Sequence, residues 1–167
     1  MTAQLSITIA TEDDAEAIAA LRNAASHDLT RRFGPGHWSS ETTAKSVRLG
    51  IVTSSVLVAR DGDTAVGSLR LVKKKPWAID PAYFTPVARP LYLVDMAVAP
   101  DLQRRGVGRR LLEEATTAAR AWPSEAIRLD AYDAAAGAAG FYARCGYREV
   151  GRATYRTVPL VYFELVL

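Results

Sequence analysis

The chain holds a single cysteine in 167 residues, and that scarcity sets the first limits. Cys145 alone can form neither an internal disulfide nor a thiolate-based metal site, which suits a reducing compartment and a cytoplasmic location. Long apolar runs are missing too. None approaches the roughly 20 residues of a membrane span, and Met1 to Ala10 lacks the basic start and continuous apolar core of a secretory leader. No group of His, Cys or carboxylate residues has metal-ligand spacing, so no metal is expected. Charge of one sign is also in short supply, with a net excess of only +3 spread along the chain. The one lysine run, Lys73 to Lys75, is followed by Pro76 and reads as a solvated strand end, so neither nucleic acid nor membrane is expected as a partner.

What is present describes a globular protein. Hydrophobic residues make up 49% and charged residues 23% of the chain, and its length suits one domain spanning 1–167. Leu5, Ile7 and Ile9 alternate with polar residues as in a half-buried strand. Thr11, followed by Glu12, Asp13 and Asp14, caps a helix that carries Ala15, Ile18, Leu21 and Ala25 at helical spacing and breaks at Phe33-Gly34-Pro35-Gly36. A second helix is predicted from about Ser40 to Gly50, with Ala44, Val47 and Ile51 inward. Strands at Ser55 to Ala59 and Ala65 to Val72 flank an Asp61-Gly62-Asp63 hairpin turn. Pro76 to Pro90 is broken by prolines and reads as a functional loop. Then come a strand from Leu91 to Val98, a helix from Gly106 to Trp122, a strand from Ile127 to Ala131, a helix from Ala134 to Cys145 stopped by Gly146, and strands from Arg148 onward. The order is β-α-α-β-β-β-α-β-α-β-β.

The richest segment is Val94 to Arg110, V-D-M-A-V-A-P-D-L-Q-R-R-G-V-G-R-R. A strand runs through a short glycine-rich, basic loop into a helix. Gly106 and Gly108 let backbone N–H groups approach a phosphate, and the helix start adds partial positive charge. Arg104, Arg105, Arg109 and Arg110 supply cations around it. No Lys-Ser or Lys-Thr follows the glycines, and only half of the G-x-G-x-x-G pattern is present, so neither a nucleoside-triphosphatase loop nor a dinucleotide fold fits.

Gln103, Gly106 and Gly108, preceded by Ala97, Val98 and Pro100, resemble the [QR]-x-x-G-x-[GA] loop of the GNAT N-acetyltransferase superfamily. A second motif, A-G-F-Y-A-R-C-G-Y from Ala139 to Tyr147, is similar to that superfamily's A-x-x-[FL]-Y-x-x-x-G-[FY] segment. The resemblance covers roughly Ile7 to Leu167. It implies an α/β fold with a GNAT-like mixed, mostly antiparallel sheet whose central parallel strands splay, flanked by helices. The implied reaction is direct transfer of acetyl from acetyl-CoA, as co-substrate, to a primary amine of a small molecule or peptide. The implied alternative is a non-catalytic acyl-CoA-binding regulatory module. A homodimer is open to the family.

The resemblance also implies roles. Backbone groups of Met96, Ala97 and Val98 would hold the thioester and pantetheine, and Gln103, Arg104, Arg105, Gly106, Val107, Gly108 and Arg109 the pyrophosphate. Tyr142 takes the place of the tyrosine that protonates the leaving thiolate, a task suited to a phenol that is neutral at pH 7. Phe141 and Tyr147 read as core residues. An asparagine common about seven residues before that tyrosine is replaced by Ala135. Asp95 sits near the position of a catalytic glutamate and would act either as a base through water or as a holder of the ammonium group; Asp130 is a weaker candidate base. Trp38, Trp77 and Tyr83 would wall an organic substrate or anchor their loops. His27 and His37 read as surface residues and Cys145 as a buried helix residue.

Overall fold

The computed structural model describes residues 4–167; Met1, Thr2 and Ala3, which open the stretch read for a leader, lie outside the described residues. The elements are β1 (Leu5–Ile9), α1 (Ala15–Phe33), α2 (Ala44–Thr53), β2 (Ser55–Asp61), β3 (Thr64–Val72), β4 (Pro90–Val98), α3 (Val107–Ala121), β5 (Ala126–Tyr132), α4 (Ala139–Arg144), β6 (Arg148–Tyr155) and β7 (Val158–Val166), in the expected order. They form two compact units: the described part of Met1–Leu71 with Val94–Ala115, and Val72–Leu93 with Thr116–Leu167.

In the first unit β1, β2 and β3 make an antiparallel meander, with Leu5 opposite Asp61 and Ser55 opposite Leu71. Gly62, at φ 61°, takes the left-handed conformation that the tight turn between β2 and β3 demands. Thr11 and Asp14 hold the entry to α1: the Thr11 N–H donates to Asp14 Oδ2 at 2.8 Å, and the Asp14 N–H donates to Thr11 O at 2.9 Å. A short 3-10 turn, Glu12–Asp14, intervenes before α1 begins. The second helix starts later than the expected Ser40, and side-chain hydrogen bonds give the reason. Asn23 brackets the Thr42 backbone, donating from Nδ2 to Thr42 O at 3.0 Å and accepting from Thr42 N–H at 2.9 Å. Ser26 Oγ meets Trp38 O at 2.7 Å and Ser40 O at 3.0 Å. These contacts keep the connection extended until Thr43 caps α2 by accepting from Ser46 N–H. Ile18 and Ala15 of α1, Val47 of α2 and Val56 and Val58 of β2 share a core, with Ala44 and Ile51 packed at its edge. Each fully buried Val or Ile contributes about 1.5–3 kcal/mol.

In the second unit the start of β4 runs parallel to β5, in a ladder of Pro90, Leu91 and Tyr92 opposite Ala126, Ile127 and Arg128. β5 then pairs antiparallel with β7, and β7 with β6. The sheet is therefore mixed and mostly antiparallel, with so short a parallel ladder that the two parallel strands part early, as a splayed pair must. Leu160, Val161, Tyr162 and Phe163 of β7 are all buried, so both faces of that strand are covered.

The proline-broken segment before β4 is firmly anchored. Ile79 and Phe84 join a core with Tyr92, Leu160 and Tyr162. Thr85 donates from its N–H and its hydroxyl to the buried carboxylate of Glu164, at 3.1 and 2.6 Å, while Arg128 Nη2 donates to Thr85 O at 2.8 Å. Arg128 is the cross-strand neighbour of Glu164, so two buried charges of opposite sign face the same loop residue.

One element is shorter than the pattern predicts. Ala134 to Cys145 reads as one helix, yet α4 covers only Ala139–Arg144. A turn precedes it, closed by Gly137 N–H on Ala134 O, and a Cβ at Gly137 would stand 1.9 Å from Tyr132 O. The chain folds back onto the end of β5 there, and alanine's helix propensity loses to that close approach.

Candidate functional site

The first unit builds the glycine loop from backbone geometry. β4 ends at Val98; Ala99 N–H donates to Val66 O at 2.8 Å, and Gln103 Nε2 returns to Val98 O at 3.3 Å, closing the turn. Arg104 and Gly106 then take left-handed conformations, at φ 62° and 86°. Arg110 N–H donates to Gly106 O at 3.1 Å, which sets the first turn of α3 and leaves the N–H groups from Gly106 to Gly108 without a helical carbonyl to bond. Arg104, Arg105, Gly106 and Arg109 are exposed, whereas Val107 and Gly108 are buried. The arrangement is a concave row of donors ringed by cations, suited to an anion. Gly67 on β3 makes this placement workable, because a Cβ there would stand 2.8 Å from Leu111 Cδ1 and 3.0 Å from Val107 Cγ1. Only alternation along the strand hinted at Gly67, and its role was not legible.

Met96, Ala97 and Val98 lie half-buried at the end of β4. Just before them Asp95 holds φ 55° inside a strand, a conformation that costs a non-glycine residue about 1–3 kcal/mol and persists where the surroundings enforce it. Two arginines do so. Arg22 Nη2 of α1 donates to Asp95 Oδ1 at 3.2 Å, and Arg70 Nε of β3 donates to Asp95 Oδ2 at 3.0 Å. Both carboxylate oxygens are thus engaged. The array faces a cavity of about 310 Å³ between α1, α2 and the strands, whose other walls include Ile18, Val47, Val56 and Leu69. Arg22 and Arg70 escaped sequence reasoning; an arginine set between Leu69 and Leu71 on β3 was the signal available.

The remaining candidates of this unit lie elsewhere. Trp38 donates its indole N–H to Gly34 O at 2.9 Å and covers Gly36, so its ring closes its own loop. His27 meets Glu41 at 2.6 Å with both side chains largely exposed, and His37 is exposed. Neither Trp38 nor either histidine lines the cavity.

The second unit carries Tyr142 on α4. Gly146, at φ 90°, ends the helix with paired hydrogen bonds from Gly146 N–H to Ala143 O and from Tyr147 N–H to Tyr142 O. Those bonds fix the tyrosines beside each other, with ring centroids 5.9 Å apart, and Phe163 lies 6.0 Å from Tyr142. Burial pushes the Tyr142 phenol far above its ordinary value, and the nearby charges of Asp130 and Cys145 push the same way. Tyr147 is raised by burial as well, then by Tyr142 and Cys145, and its buried hydroxyl has no hydrogen-bond partner among the described residues. Burial also raises the Asp130 carboxyl, against a lowering backbone hydrogen bond. Cys145 is half-buried and sits just after α4 rather than inside it. Ala135 lies in the turn before α4. Trp77 is 80% exposed, whereas Tyr83 stacks edge-on against Tyr162 at 5.3 Å and covers Gly151. Among the described residues no group of His, Cys, Asp and Glu could hold a metal ion, and no helix is long and apolar enough to cross a membrane.

The family described as acetyltransferase (GNAT) domain matches residues 53–149, more than half of the chain and the whole stretch from β2 through α4. The chain belongs to the GNAT acetyltransferase family. No curated protein sequence matches this GNAT protein. Solved structures resemble it over nearly their full lengths. The ribosomal-protein-alanine N-acetyltransferase of Brucella melitensis superposes with a TM-score of 0.74 at 19% identity, covering 97% of this chain and 99% of that one. The yncA protein of Salmonella typhimurium, solved with its cofactor acetyl-CoA, gives 0.71 at 17% identity, covering 98% and 94%. The paia N-acetyltransferase of Thermoplasma acidophilum, in complex with coenzyme A, gives 0.72 at 14% identity, covering 95% and 98%. At such identities the likeness is one of fold.

Proposed function

We propose that this GNAT protein transfers the acetyl group of acetyl-CoA directly to a primary amine. The observation that carries the reading is the loop from Gln103 to Arg109, where two left-handed residues, Arg104 and Gly106, lead into the start of α3 and gather N–H groups suited to an anion, in the connection that follows the strand ending at Val98. The donor set fits the co-substrate. Gly106 has no atom within 4 Å of where a Cβ would be, so the loop face is open, and the surrounding arginines match a pyrophosphate. Gln103, Arg104, Arg105, Gly106, Val107, Gly108 and Arg109 would hold that group, with Met96, Ala97 and Val98 along the pantetheine. That two relatives of the same fold were solved with acetyl-CoA or coenzyme A supports the assignment.

Acetyl-CoA supplies an activated acyl carbon on a thioester. The amine nitrogen bonds to that carbon as the carbon–sulfur bond breaks, one proton leaves the nitrogen, and one reaches the sulfur. We assign the second proton to Tyr142 on its motif position, where a phenol is protonated throughout the physiological range. Asp95, with both oxygens engaged by guanidinium groups, suits holding and orienting the incoming group better than taking its proton directly. Replacement of the family's asparagine by Ala135 favours one rival, a non-catalytic acyl-CoA-binding module. Thiol release from acetyl-CoA across a library of amines, with mass spectrometry of the products, separates the two. An acetylated amine supports transfer, and acetyl-CoA binding with no release for any amine contradicts it.

A further inference from the structure

We infer that the acceptor is a small aliphatic α-amino acid, seated in the first-unit cavity with its carboxylate on Arg22 and Arg70 and its ammonium group on Asp95. The inference deepens the transfer reading and rests on it. Among the cavity walls only Arg22, Arg70 and Asp95 carry charge, so the polar end of the cavity has two positive groups and one negative. An amine with no acidic group would enter against that excess. A zwitterion, with opposite charges on neighbouring atoms, meets both signs at once.

Donors remain for it. Among the described residues Arg22 spends only Nη2 on Asp95, and Arg70 spends only Nε on Asp95 and Nη1 on Ser54 Oγ at 3.5 Å. Arg22 Nε and Nη1 and Arg70 Nη2 are left to fork a carboxylate, the geometry that guanidinium groups favour. The rest of the cavity is chemically different. Ile18, Val47, Val56 and Leu69 line it beside the uncharged Ser46, Thr53 and Ser68, which suits a short uncharged side chain that meets more methyl groups than charge. Its volume, about 310 Å³, lies at the low end for ligand pockets and is too small for a folded protein segment. Asp95 directly precedes Met96 on β4, so the strand that carries this carboxylate also carries the residues assigned to the thioester. The ammonium first gives one proton to solvent; the amine nitrogen then bonds to the acyl carbon as the carbon–sulfur bond breaks, a second proton leaves the nitrogen as one reaches the sulfur, and the products are an N-acetylated amino acid, a free thiol and one proton released to solvent.

The test compares ligands that differ only in the carboxylate. Calorimetry with the full chain, alone and with coenzyme A, would titrate L-alanine, L-valine, L-leucine and L-methionine beside 3-methylbutylamine and L-leucinamide. Saturable binding of at least one amino acid is expected, with L-leucine at least tenfold tighter than its amine and amide. Arg22→Gln should erase that preference, and Arg22→Lys should restore part of it. Equal binding of L-leucine and 3-methylbutylamine, or binding of none of the four amino acids, overturns the inference. Thiol release keeps the two readings apart. Release with amines lacking a carboxylate, and none with amino acids, sinks the amino-acid assignment and leaves acetyl transfer standing. Amino-acid binding with no release from acetyl-CoA sinks the transfer reading on which the inference rests.

Discussion

The two units handle charge in opposite ways. In the first, arginines are exposed around the glycine loop, and Arg22, Asp95 and Arg70 meet at a cavity with roughly a quarter to a third of each side chain open to solvent. In the second, Tyr142, Tyr147 and Asp130 are packed away, and burial moves all three toward their uncharged, protonated forms. The second unit also buries fixed charge, but as the cross-strand pair Arg128 and Glu164, whereas the first leaves its arginines open to solvent.

The largest effect should come from breaking the proton side. Tyr142→Phe keeps the ring packing and removes one hydroxyl; turnover should fall on the order of 10²-fold with acetyl-CoA affinity unchanged, as steady-state kinetics beside calorimetry would show. Full retained turnover would remove Tyr142 as the acid. Asp95→Ala tests the charged side. If Asp95 holds the acceptor, its KM should rise on the order of tenfold with kcat largely kept, an effect of about 1.4 kcal/mol. A fall in kcat and loss of the acidic limb of the pH–rate profile would instead make Asp95 a base.

Asp130→Asn probes the burial contrast through stability, with the smallest expected change. The native carboxyl titrates above its ordinary 3.8, so folding favours its protonated form. Stability from this group is therefore fully present below pH 3.8 and is lost as pH rises through the native value. The asparagine variant should gain stability over the parent at neutral pH and lose that advantage at acid pH, read from denaturant melts at several pH values. An advantage that grew toward acid would reverse the sign and contradict the burial argument.

The same division explains what the sequence could tell. The glycine loop was legible because its parts are contiguous: Gln103, Gly106 and Gly108 sit within one strand–loop–helix unit, and local backbone chemistry decides its shape. The Gly146 stop was legible for the same reason. The Arg22, Asp95 and Arg70 array was not, because it joins a helix to two strands, and only tertiary packing brings them together. Helix α4 was overdrawn because alanines carry a helix signal in any context, while the constraint that ends the preceding turn is a carbonyl of β5 pressed against Gly137. The aromatic residues divide similarly. Periodicity cannot say that Trp38 covers its own loop or that Tyr83 packs on Tyr162.

The most direct test of the central claim is calorimetry of acetyl-CoA against the wild-type chain and Gly106→Val. The substitution forces a β-branched residue into the left-handed backbone, at a cost of about 1–2 kcal/mol. Saturable binding by the wild type, weakened on the order of tenfold or more in the variant while its fold is kept by circular dichroism, is the result predicted. Equal affinity in both proteins, or no binding to the wild type, would contradict the account.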